Sequence, residues 1–192
     1  MSQTGDNVEV GLIYVRFWRR VLAKIVETIV VIVPVSVTYT IATHISAWTK
    51  SVLPFVIYTV LAILSVVYFT VRYGGTPGKL ILKMRIVDRN GNRLKIGNAL
   101  MRNLFYVIYL LQLIYIISRG ISEQVDMKEI NHYINVTSQS SIMYNIILWI
   151  TIVDQLFVLF NKKRRSIQDL LGQSYVVDVR GQSKTASKDT SL

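Results

Sequence analysis

Four stretches of the chain, at about residues 22 to 43, 51 to 71, 98 to 118 and 142 to 160, run in Val, Ile, Leu, Phe and Tyr with few polar interruptions. Each is close to the roughly 20 apolar residues that a helix needs to cross a bilayer, and a helix satisfies its backbone polar groups internally, as lipid requires. The pattern therefore predicts four membrane spans. The first run is too long for a signal-peptide core and has no convincing small-residue cleavage site after it, so it is read as a retained anchor. Between the second and third runs the period changes. From Lys79 to Val87, Leu80, Leu82, Met84 and Ile86 alternate with Lys79, Ile81, Lys83 and Arg85, which predicts a strand with one apolar side. "NGN" at 90 to 92 turns the chain, and Arg93 to Ile96 can return as the second arm of a hairpin. Ser174 to Val179 is a further short strand that is also placed to pair with the first. The expected fold class is an all-α membrane protein, with four transmembrane helices and a small β-hairpin-like cytoplasmic loop.

The polar positions set the threading. All but Lys50, Arg119 and Lys128 of the 22 Lys and Arg residues lie before the first span, between the second and third, or after the fourth. Short loops rich in Lys and Arg stay in the cytoplasm, so both termini and the central loop are expected there. Trp18 and Trp48, with Phe17 and Tyr73, fall near span ends, where aromatic belts belong. Composition adds only degree: 52% hydrophobic residues and 17% charged, with a mean hydropathy of +0.41. The formal net charge of +11 would point to nucleic acid in a soluble protein. Here insertion topology and attraction to anionic lipid at the cytoplasmic face explain it, and no nucleic-acid partner is expected.

Charge inside the apolar runs is costly, roughly 2.5 to 3.5 kcal/mol at mid-span, so such groups normally face the bundle interior and have a partner. Glu27 lies in the first run and Asp154 in the fourth, each a short way inside the cytoplasmic end. Arg20 is two turns from Glu27 on the same helix face, with the small Ala23 between them. Ala23 lets a neighbouring helix come close. The expectation is one interior cluster of Arg20, Glu27 and Asp154, with Lys24 and Arg102 as further partners. Two acids at one depth make either a titratable proton or cation site or a structural ion-pair network that holds helix register.

Other chemistry finds little footing. There is no cysteine, hence no disulfide and no thiolate. "GGTPGK" lacks the glycine five positions before the Gly-Lys pair and the Ser or Thr after it that a phosphate loop needs, so its glycines are read as a sharp exit from the second span. Glu129 and His132 have an i, i+3 spacing used in metal bundles, but stand almost alone within "ISEQVDMKEINHYI", which is read as an amphipathic outer helix dipping Ile121, Val125, Ile130 and Ile134 into the interface. No nucleophile and base can be assembled. The chain is expected to be no enzyme, with no cofactor and no metal.

Three motifs, "RFWRRVLAKIVE", "GGTPGKLILKMRIVDRNGNRL" and "DQLFVLFNKKRRSIQDLLGQSYVVDV", together resemble the RDD family of small prokaryotic membrane proteins. The resemblance places the family arginine on Arg20 and its two aspartates on Asp154 and Asp169. Glu27 stands where many relatives have aspartate, and Gln168 where a histidine often precedes the second aspartate. It implies a helical bundle with a strand-bearing cytoplasmic loop. It also implies one of two roles, since some members are linked to sodium/proton exchange and others to restraint of a membrane-bound peptidase.

The expectations are thus a membrane domain over residues 1 to 181 and a disordered polar tail over 182 to 192, in the inner or plasma membrane. Arg20, Glu27, Asp154, Asp169 and Arg102 form its charge cluster. Function divides between proton-coupled cation or small-solute transport, which a homo-oligomer would assist, and non-catalytic regulation of another membrane protein.

Overall fold

The computed structural model describes residues 14–126, 128–161 and 164–179; Lys162, Lys163, Arg180 and the 182 to 192 tail lie outside the described residues. The chain is mainly helical. Helix α1 (Phe17–Trp48) and α2 (Leu53–Tyr73) form the first hairpin, closed by the Ser46 hydroxyl accepting the Phe55 N–H at 3.1 Å. Helix α3 (Pro77–Ile81) and strand β1 (Met84–Val87) follow, then α4 (Ile96–Arg102), α5 (Leu104–Ser122), α6 (Ile130–Ser140), α7 (Ile142–Phe160), α8 (Ile167–Leu171) and β2 (Tyr175–Asp178). Four segments, Phe17–Trp48, Leu53–Ile81, Leu104–Ser122 and Ile142–Phe160, are long and apolar enough to cross a membrane.

The alternating stretch is only half strand. Pro77 fixes φ at the first position of a helix, where its missing N–H costs nothing, so Pro77–Ile81 coils and β1 begins at Met84. The turn at 88 to 92 forms as expected: Asp88 accepts the N–H groups of Asn90 and Asn92, both at 2.8 Å, with Gly91 at φ 81°. The hairpin does not. The chain after the turn enters α4, and β1 pairs antiparallel with β2 instead, Met84 opposite Asp178 and Val87 opposite Tyr175. Tyr14 bridges to Val177 on the other edge of β2. Hence the two ends of the described chain meet in one small sheet, and Val15, Met84, Ile86, Leu94 and Val176 bury a core with Ala23 of α1 beneath it.

Two further expectations change. The third apolar run is broken at Asn103, whose side-chain amide donates to the Ala99 carbonyl at 2.7 Å, a local competitor for the helical ladder. The outer helix begins later than expected. Gln124, at φ 55°, turns the chain after α5, Asp126 accepts the Lys128 N–H at 3.2 Å, and α6 starts at Ile130. Of its apolar positions, Ile130 and Ile134 face protein while Val136 is exposed. Ile130 and Ile134 are buried against Leu113, Ile116 and Ile117 of α5, with Ile121 and Val125 packed at the side.

Candidate functional site

The charged centre lies at the sheet end of the bundle, where α1, α4 and α8 converge. Its local framework is α8. The Ser166 hydroxyl accepts the Asp169 N–H at 3.2 Å while Asp169 Oδ2 accepts the Ser166 N–H at 3.1 Å, a reciprocal cap that satisfies two helix-end donors. The cap holds the Asp169 carboxylate in one orientation. Gly172, just past α8, lies against α4: a Cβ there would sit 2.7 Å from Arg102 Cβ and 2.9 Å from the Asn98 carbonyl oxygen. Only a glycine lets the two short helices approach this closely.

Two guanidinium groups then close on one carboxylate. Arg20 Nη1 of α1 donates to Asp169 Oδ2 at 2.6 Å, and its Nη2 donates to the Arg164 carbonyl at 2.6 Å. Arg102 Nη1 of α4 donates to Asp169 Oδ1 and to the Ser174 hydroxyl. Asp169, Ser166, Ser174 and Arg102 are all buried, and the Arg20 side chain is only 10% exposed. The Asp169 carbonyl is also used, accepting Ser174 N–H at 2.8 Å and Arg165 Nη2 at 3.1 Å, while the Arg165 guanidinium lies 4.4 Å from the centre of the Tyr175 ring. One aspartate thus joins α1, α4, α8 and the start of β2. Burial pushes its carboxyl up, but Arg102 and then Arg20 outweigh this and bring it down to about 2.

Asp154 stands next to this clamp without joining it. Buried in α7, it accepts the Gln168 N–H at 2.7 Å and the Gln155 side-chain amide at 2.8 Å. The position where relatives often carry histidine therefore contributes its backbone, a contact that Gln168 makes as well as histidine would.

Glu27 is elsewhere. The expected pairing with Arg20, Lys24 or Arg102 is not observed, because α3 packs directly on the Ala23–Glu27 face of α1 and brings its own cation there. Its partner is Lys79 of α3, at 3.6 Å, and one of its carboxylate oxygens is buried without a hydrogen bond. Gly78 makes this possible, since a Cβ there would lie 2.4 Å from the Ala23 carbonyl oxygen and 2.5 Å from Glu27 Cβ. Ala23 does admit a close neighbour, as its size predicts. The single expected cluster is thus an Asp169 clamp with Asp154 at its side, and a separate Glu27–Lys79 pair.

The serines, Lys79, Gly78 and Gly172 escape a sequence reading of charges in apolar runs. "SIQD" carried a signal, since Ser and Asp three apart before an apolar pair is a helix-start pattern. Arg19 of α1 adds an ion pair to Asp178 of β2 and donates to the Leu82 carbonyl at 2.8 Å. Among the described residues no group of three or more His, Asp or Glu side chains could hold a metal.

Compared with known proteins, residues 14–173 match the model of the RDD family. No curated protein and no solved structure matches the chain.

Proposed function

The chain belongs to the RDD family, and from that premise we propose that it is a non-catalytic, multi-pass protein of the cell membrane that binds and restrains another membrane protein. Its N-terminus, C-terminus and 74 to 95 loop face the cytoplasm, where their Lys and Arg residues meet anionic lipid. The observation that carries this reading is the closure of the Asp169 clamp. A carrier site must exchange partners between states, whereas this carboxylate has both oxygens engaged by Arg20, Arg102 and the Ser166 amide, out of contact with solvent. Such a site favours a fixed scaffold. The same scaffold leaves α1 almost unpacked through its middle, and Val30, Val37 and Ile41 form one exposed stripe, a face available to a partner such as a membrane-bound peptidase or to a second copy.

A second reading, proton-coupled cation transport, draws support from Asp154, which takes its hydrogen bonds from the uncharged Gln155 and Gln168, and from the loosely held Glu27. Liposomes with a trapped pH dye, challenged with sodium or potassium gradients, separate the two. The wild type is expected to move no protons in response to either cation. Cation-driven movement that disappears in Glu27→Gln and Asp154→Asn, both still folded, would overturn the restraint reading and establish transport.

A further inference from the structure

On the far side of α1 from its contacts with α2 and α3 there is a hollow facing α7. It is lined by Val21, Lys24, Ile25, Thr28 and Ile29 of α1 and by Gln155 of α7, with a volume of about 360 Å³. Neither helix takes the other as its main packing partner: α1 lies on α2 and α3, and α7 on α5 and α6. The walls are aliphatic. The lining has one cation and no carboxylate, and the nearby Asp154 is occupied by Gln155 and Gln168.

Lys24 is exposed and makes no ion pair among the described residues. Positive charge thus lies toward the sheet end of the hollow, and the apolar Ile25 and Ile29 run from there toward the middle of the membrane. That is the charge and polarity order of an anionic amphiphile, head at Lys24 and tail along Ile25 and Ile29.

We infer that this hollow is a binding site for one anionic phospholipid of the leaflet on the sheet side, with its phosphate against Lys24 and an acyl chain between α1 and α7. The size selects a lipid over a protein segment. A helix with its side chains is about 10 to 12 Å across, whereas the hollow holds about 360 Å³ alongside roughly two turns of α1. From Lys24 to Ile29 the rise is roughly 8 Å, about half of the hydrocarbon depth of a single leaflet, so the remainder of the chain continues into bulk lipid along exposed Ile32 and Val33. This site is distinct from the general attraction of basic loops to an anionic surface, because it uses a particular lysine and apolar walls beyond it. It stands whether or not the restraint reading holds.

The test uses the full chain purified in mild detergent, incubated with phosphatidylglycerol or phosphatidylcholine of identical acyl chains and read by native mass spectrometry. One phosphatidylglycerol is expected to be retained about tenfold over phosphatidylcholine. Lys24→Glu, at an exposed position, should abolish that preference, and Ile29→Trp should lower retention of both lipids by filling the hollow. Arg89→Gln, in the exposed turn far along the loop, should change nothing. Equal retention of the two lipids by the wild type, an unchanged preference in Lys24→Glu, or an equal loss in Arg89→Gln would each overturn the site. A photoreactive residue in place of Ile29 gives an independent reading in native membranes. Capture of lipid is expected, and capture of a second copy or of another protein would overturn the assignment.

Discussion

Asp169 concentrates the energetics of the sheet end in a single side chain. Its carboxyl is brought from the ordinary 3.8 to about 2, burial opposing and Arg102 and Arg20 prevailing. A carboxyl whose pKa is lower in the folded chain than in the unfolded one contributes stability above its ordinary range, and that contribution is lost as pH falls through the folded value. The window therefore runs from about pH 4 down to about pH 2, and the amount is about 2 kcal/mol, because a tenfold change in proton affinity is worth about 1.4 kcal/mol. Replacing the carboxylate with asparagine does more harm than protonating it, since besides losing the charge it sets an amide N–H donor against the donors of Arg102 or of Arg20 and Ser166, where both carboxylate oxygens accept. Asp169→Asn should cost about 3 to 5 kcal/mol at neutral pH and should flatten the acid limb seen in the wild type, both measured as thermal unfolding in detergent from pH 2 to 7. Equal stability of the two proteins at pH 7 would deprive the clamp of energetic weight. Arg20→Lys should fall between them, because an ammonium lacks the planar fork that here reaches Asp169 and the Arg164 carbonyl at once.

At the scale of elements, the contacts of short helices with long ones depend on absent side chains. Helix α3 rests on α1 at Gly78, and α8 rests on α4 at Gly172, each with backbone atoms where a Cβ would go. Backbone cannot step aside as a flexible side chain can. Gly78→Ala should therefore destabilise by about 1 to 3 kcal/mol, the ordinary range for overpacking, and should separate Lys79 from Glu27. Gly97, in α4, has nothing within 4 Å of its added Cβ, so Gly97→Ala should stabilise by about 0.5 to 1 kcal/mol through helix propensity alone. Opposite shifts in unfolding temperature for these two glycine-to-alanine changes are the expected result. A shift of the same sign in both would remove the packing argument.

For the whole molecule, the constraint is that Tyr14 and Val15 meet Val176 and Val177 in one sheet, so the described chain leaves the bundle at the end where it entered. With four spans this is self-consistent, and the distribution of Lys and Arg then chooses the side. A reporter active only outside the cytoplasm should be active when fused after Trp48 or within the turn at 123 to 126, and silent after Arg93 or Leu192. Activity after Arg93 would reverse or break the threading.

Much of this arrangement is written in local pattern. Runs of about 20 apolar residues can do little but form helices in lipid, and the period-2 alternation at Met84 to Val87, the Asp88 turn and the apolar positions of Ile130 and Ile134 are properties of neighbouring residues. So is the membership of Arg20, Asp154 and Asp169 in a recognisable set of motifs. What sequence order could not decide is which distant groups meet. Whether β1 pairs with the nearby 93 to 96 segment or with β2 depends on Arg19 reaching Asp178 and on Arg20 and Arg102 drawing α8 into place. Equal distance from the ends of two apolar runs suggested that Glu27 and Asp154 share a site, but α3 covers the Glu27 face of α1 and supplies Lys79, while Asp154 turns to Gln155 and to the backbone of α8. The choice of Lys79 for Glu27 likewise required a backbone contact at Gly78 that has no signature in charge or periodicity. Local periodicity is carried by residues a few positions apart, whereas the ion pairs here join residues separated by 50 to 160 positions, and only the packed chain brings those together.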